Sequence, residues 1–142
     1  MSKLKIVLDT NALLVSISRK SEYRPIFDSL LNGDFTLAIT NEILSEYVEI
    51  IERKSNSTVA TNIAEMLLNL QNVEKVDVYF KWNLIEADEE DNKFVDCAIA
   101  ARVKFVVTND KHFDILKRIE FPKVEIIKIQ EFLEELKSSD QK

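Results

Sequence analysis

The sequence predicts an α/β fold in which a five-stranded parallel sheet is wound on both sides by helices. Three observations predict it. Short apolar runs alternate with longer stretches of helical periodicity along the 142 residues, the signature of successive strand–helix units. The runs are continuously apolar and do not alternate, as expected of strands buried on both faces. Two of them, IVLDTN at 6–11 and KFVVTND at 104–110, run directly into an aspartate. In a doubly wound sheet the functional site lies at the carboxyl ends of the strands, near the point where the winding reverses.

Taken in order, KLKIVLD (3–9) is a buried strand, and ALLVSISRK (12–20) and YRPIFDSLLN (23–32) are helices. FTLAIT (35–40) is a second strand, followed by a helix over 42–54 whose apolar stripe is Ile43, Leu44, Tyr47, Val48 and Ile51. RKSNST (53–58) turns the chain into a helix over 59–70, and VEKVDVY (73–79) is a third strand. The acidic ADEEDN leads into a helix over 92–103 that is small or apolar on nearly every side. FVVT (105–108) is a strand, HFDILK a short helix, VEIIKI (124–129) the last strand and QEFLEEL (130–136) a closing helix. No repeat, low-complexity tract or linker interrupts the series, which predicts one domain over 1–136 and a disordered tail over 137–142.

Composition narrows the functions. A charge of −6 argues against a generic, charge-driven nucleic-acid binder. It leaves a nuclease open, because metal ions offset clustered carboxylates. One glycine, no GxGxxG and no P-loop remove the usual backbone cradles for dinucleotides and nucleotide phosphates. The single cysteine, Cys97, excludes an internal disulfide, fits a reducing compartment and reads as a small buried residue. With no membrane-length apolar run and no signal-peptide core, the expected location is the cytoplasm.

The acidic residues carry the functional signal. Asp9 and Asp110 follow strand ends, and with a strand order of 3-2-1-4-5 those strands are neighbours. Each also has a structural reading: Asp110 as the cap of the helix after it, and Thr10 or Asn11 as caps of the first helix. Asp96 is the only charged residue in FVDCAIAA (94–101), and a buried carboxylate needs a partner, a proton or a metal. Arg102 or Lys93 is the structural candidate. Asp91, just upstream, reads as a helix cap. Glu46 borders the apolar stripe of its helix near the end that starts at the same sheet edge. Four carboxylates in one pocket repel. Mg²⁺ or Mn²⁺ resolves that repulsion through oxygen ligands, and a pair of such ions about 4 Å apart suits phosphodiester hydrolysis. The sole histidine, His112, reads as a surface or substrate-side residue.

LDTN at the first strand end, NEILSEY in mid-chain, then DNKFVDCAIAA and FVVTNDKHF, in that order, resemble the PIN domain over roughly 4–135. The likeness is to PIN proteins that are toxin components of prokaryotic toxin–antitoxin pairs. The resemblance implies a Rossmann-like α/β/α sandwich and a Mg²⁺- or Mn²⁺-dependent ribonuclease. It carries the family's acidic quartet onto Asp9, Glu46, Asp96 and Asp110, as catalytic metal ligands. Asp91 fits an additional acidic position, so that Asp91 and Asp96 compete for the role of direct ligand. Thr10, Asn11, Thr108 and Asn109 match supporting polar positions. A homodimer and a small antitoxin whose tail enters the acidic groove are the implied partners. RNA contacts would fall to Arg19, Lys20, Lys93 and Lys111, with Trp82 stacking on a base; the same residues also read as solvated charges and as an aromatic at a core or dimer contact. A non-catalytic PIN-like module binding RNA or an antitoxin-like partner is the alternative. An aspartyl phosphatase is disfavoured by Asn11, where such enzymes carry a second aspartate.

Overall fold

The computed structural model describes residues 4–140. Five parallel strands form one sheet in the order β3-β2-β1-β4-β5, with β1 at Lys5–Leu8, β2 at Thr36–Ile39, β3 at Val73–Lys75, β4 at Phe105–Val107 and β5 at Ile126–Ile127. The helices that wind it are α1 (Thr10–Ile17), α2 (Arg24–Leu31), α3 (Asn41–Lys54), α4 (Ser57–Asn69), α5 (Asn92–Ala101) and α6 (Ile129–Asp140). Single 3-10 segments cover Glu89–Asp91 and Lys111–Arg118.

The register fixes what matters for function. Ile6, Val7 and Leu8 stand beside Phe105, Val106 and Val107, so Asp9 and the Thr108–Asp110 segment leave the sheet side by side at its carboxyl edge. The central strands are sealed on both faces: Ile6, Val7, Leu37, Ile39, Val106 and Val107 are all fully buried. That is the physical meaning of their unbroken apolar sequence. Phe35, just before β2, meets Phe132 of α6 edge to face at 5.3 Å, which pins the closing helix to the core. Among the described residues no helix is long and apolar enough to cross a membrane. Cys97 is buried, and burial pushes its thiol up to about 12, in keeping with an inert packing residue.

The elements depart from expectation at their ends, for identifiable reasons. β3 was expected over 73–79 and stops at Lys75. Its neighbour β2 ends at Ile39, where the chain turns into α3. After Val76 donates to the Ile39 carbonyl there is no strand left to pair with. β5 shrinks from 124–129 to two residues because β4 offers only three. α1 ends at Ile17, short of 20, and α5 ends at Ala101 because Arg102 turns left-handed at φ 56°. The short helix expected at HFDILK is a 3-10 segment that extends it at both ends. Instead of a disordered tail from 137, α6 continues to Asp140. Residues 141 and 142, like Lys3 of the expected first strand, lie outside the described residues.

Candidate metal centre

Asp9 sits one residue beyond β1, and its backbone N–H still donates to the Val107 carbonyl at 3.2 Å. Its side chain is held twice. Oδ1 accepts the Ala12 N–H at 2.8 Å, capping α1. Oδ2 accepts the Thr108 hydroxyl. The cap expected from Thr10 or Asn11 is therefore supplied by Asp9 itself. Thr108 Oγ1 in turn accepts the Asp110 N–H at 3.0 Å, so one threonine ties the two aspartates of the neighbouring strand ends together. Asp110 caps the following 3-10 segment through Oδ1, which accepts the His112 N–H at 2.9 Å. Capping and site formation are compatible for both residues, because each commits one oxygen to the cap.

Glu46 reaches this edge because α3 starts there. Thr40, the residue after β2, caps α3 through Oγ1, which accepts the Ile43 N–H at 3.1 Å. Tyr47, fully buried, donates its hydroxyl to the Leu8 carbonyl at 2.6 Å. The adjacent Glu46 is thereby delivered to the end of β1. Its Oε2 accepts the Thr10 hydroxyl, and its Oε1 accepts from the Lys93 ammonium at 2.5 Å. Lys93 also donates to Glu90 at 2.8 Å, and its side chain is only 8% exposed. Lys93 is thus paired with two glutamates and not with Asp96, the partner its sequence position suggested.

The structure separates Asp91 from Asp96. Asp91 occupies the residue before α5 yet makes no capping bond. Its Oδ2 lies 3.3 Å from His112 Nδ1, which is also 3.5 Å from Asp110 Oδ1 and 4.0 Å from Asp88 Oδ2. Ligand atoms of Asp88, Asp91 and His112 lie within 4.8 Å of one another, close enough to hold a metal ion jointly. Burial, followed by the charges of Asp110 and Asp88, raises the Asp91 carboxyl to about 6, against the opposing His112 hydrogen bond. Asp96 lies five residues further on, about 7.5 Å down the axis and roughly 140° around the helix. It is buried and accepts the Trp82 N–H at 3.1 Å. Burial raises its pKa, while that N–H and Lys81 lower it and Glu42 adds to the rise. Asp96 is thus held by the 77–82 loop. It shares an open cleft with Glu46, Lys81 and Lys93.

Burial is also the main reason the Asp9 carboxyl is raised. The Thr108 and Ala12 hydrogen bonds pull it down, and the charges of Asp110 and Glu46 push it up again. Both hydrogen-bond partners of Asp9 are neutral. A buried carboxylate with neutral partners and two like charges acting on it is stabilised by a cation, and the donors offered are hard oxygens suited to Mg²⁺ or Mn²⁺. Asp9 and Asp110 offer such donors at the strand ends, and Asp88, Asp91 and His112 are the group whose ligand atoms lie within 4.8 Å of one another; Glu46 already has its counter-charge.

The remaining expected residues divide. Asn109 accepts the Ile129 N–H at 3.0 Å and so anchors α6 to the strand end. Asn11 is exposed on α1, and Lys111 is exposed beside Asp110. Arg19 and Lys20 lie past the far end of an eight-residue helix, about 12 Å from where it starts at the site, so they are not at the acidic edge. Trp82 is half-buried and packs edge-on against Phe80 at 4.7 Å and Phe121 at 6.2 Å. Sequence reasoning missed Asp88 and the role of His112. The signal was the three-residue spacing of Asp88 and Asp91, which a 3-10 turn superimposes on one side.

A family model described as PIN domain matches residues 5–112. Among solved structures, the chain is similar to VapBC2 from Rickettsia felis bound to promoter DNA, at 19% identity and TM-score 0.60, covering 88% of this chain and 98% of that one. It is similar to DNA-bound VapBC from Salmonella typhimurium at 19% identity and TM-score 0.59, covering 89% and 98%. It also resembles VapC20 of Mycobacterium tuberculosis, a sarcin-ricin loop cleaving toxin, at 12% identity and TM-score 0.58, covering 84% and 98%. At these identities the likeness establishes the fold. No curated protein matches the sequence.

Proposed function

The chain belongs to the PIN domain family, and on that premise we propose that it is a metal-dependent endoribonuclease acting as the toxin of a toxin–antitoxin pair. The observation that carries the reading is Asp9: a buried carboxylate, held by neutral donors, with the charges of Asp110 and Glu46 directed at it. Asp9, Asp110 and Asp91 would hold Mg²⁺ or Mn²⁺, with Asp88 and His112 bordering the same position. When bound, such an ion supplies a Lewis acid that acidifies water and stabilises charge on a phosphodiester.

The protein's own part is orientation. Thr108 and Ala12 fix the two oxygens of Asp9 in place, and Thr10 fixes Glu46. Hydrolysis by water requires no covalent intermediate on the chain. Asp91 is preferred to Asp96 as the third ligand because Asp110 acts on it directly. Lys111, exposed next to Asp110, is the best-placed phosphate contact, whereas Arg19 and Lys20 would serve only a longer RNA. The similar VapBC structures, captured on promoter DNA, support a small antitoxin as partner; a homodimer in the cytoplasm completes the proposal.

One observation favours the second reading, a non-catalytic module that binds RNA or an antitoxin-like peptide. Glu46 is neutralised internally by Lys93, as a centre without metal would require. Mn²⁺-dependent cleavage of RNA by the purified protein decides between them. The expected result is cleavage that Asp9→Asn abolishes while the variant keeps the wild-type circular dichroism spectrum. Cleavage retained in Asp9→Asn, with contaminating nuclease excluded, would falsify the nuclease reading.

A further inference from the structure

We infer that Lys93 is a built-in counter-cation of the acidic centre. Its ammonium takes the place at Glu46 that a second divalent ion would take, so that the centre binds a single ion, on the Asp9–Asp110 side. This inference rests on the metal-dependent reading above and specifies how that site is loaded.

Both oxygens of Glu46 are already used: Oε1 by Lys93 at 2.5 Å, Oε2 by the Thr10 hydroxyl. A metal ion at Glu46 would have to bind beside a fixed ammonium. Lys93 is not a mobile surface lysine. It stands in the first turn of α5, its side chain is 8% exposed, and a second carboxylate, Glu90, holds it at 2.8 Å. Its ammonium also stands over the Phe94 ring, 5.8 Å from the ring centre. An ammonium confined in this way repels a divalent cation brought to the same carboxylate. It also satisfies Glu46 without one, since an ammonium offers three donors. Asp9, by contrast, has only neutral hydrogen-bond partners. The two halves of the acidic edge are therefore unequal: one carries its own positive charge and the other needs one supplied. Glu46 then acts as a positioning residue for Thr10 and Lys93.

The test is a count of Mn²⁺ ions per chain, by calorimetric titration and by electron paramagnetic resonance of unbound Mn²⁺, on the full chain. Wild type is expected to take up one ion. Lys93→Met frees Glu46 and is expected to take up a second. Lys93→Arg keeps the charge and is expected to return the count to one. Should Lys93→Met not fold, Glu46→Gln decides alone: an unchanged count of one supports the inference, and a count that falls overturns it. Two ions on wild type, or one on a folded Lys93→Met, also overturn it while leaving the metal-dependent reading intact. No ion on any of the three proteins overturns the metal-dependent reading and this inference together.

Discussion

Tyr47 Oη and the Leu8 carbonyl, 2.6 Å apart and sealed from solvent, join the middle of α3 to the last residue of β1. The bond aligns a helix that starts after one strand with the end of another, and so brings Glu46 to Asp9. Tyr47→Phe keeps the ring and leaves a buried carbonyl short of its donor. The expected loss is about 1–3 kcal/mol, read as a lower urea midpoint at an unchanged slope. A midpoint equal to wild type would show that the hydroxyl is not needed to hold the two elements together.

Thr108 is the link between Asp9 and the Asp110 backbone. Thr108→Val removes that link at nearly constant volume. Groups that orient metal ligands typically contribute about 10–100-fold in affinity. Mn²⁺ titration of the variant is expected to show a loss in that range, with the fold retained. Unaltered affinity would mean that Asp9 is oriented without Thr108.

Asp91 and Asp96 are distinguished by paired substitutions. Asp91→Asn is expected to weaken Mn²⁺ binding by at least about tenfold, and Asp96→Asn by less than that. Isothermal titration of both variants reads the difference. The opposite ranking would move the third ligand to the Lys81 side of the cleft.

Asp91 also predicts a pH dependence. Its carboxyl is raised from 3.8 to about 6, first by burial and then by Asp110 and Asp88. A carboxyl that binds its proton more tightly in the folded state stabilises the fold at low pH. That contribution is fully present below 3.8 and is lost as pH rises to about 6. Thermal melts of the metal-free protein, wild type against Asp91→Asn, are expected to show wild type losing ground across that window. Added Mn²⁺ competes with the same proton, so its stabilisation of wild type is expected to grow over the same pH range. A wild-type-minus-variant difference that stays flat with pH would remove Asp91 from the buried acidic group.

Much of this was legible in the sequence, because the strongest signals were of long range and simple form. Unbroken apolar runs such as IVL and FVV, set between helical stretches, read as strands buried on both faces, and their neighbouring order brings Asp9 and Asp110 to one sheet edge. Glu46 was legible from its place beside the apolar stripe of α3. Asp91 and Asp96 were not separable, since the outcome depends on where α5 begins and which way its first turn faces. Lys93 read as a substrate contact because nothing in one dimension shows that Glu46 and Glu90 converge on it. β3 was overlong on paper because VDVY has strand-like residues, while strand length is set by the partner, and β2 ends at Ile39.

The Ile129 N–H donates to the side-chain oxygen of Asn109, and that bond crosses the limit of the segment by which the family is recognised, which stops at residue 112. Beyond that limit lie β5, which covers the outer edge of β4, and Phe132, whose ring closes over Phe35. A chain cut back to the recognisable segment would bare both the edge strand and the aromatic pocket, and would free the loop that carries Asp110. The unit to express, crystallise or transplant therefore reaches through α6.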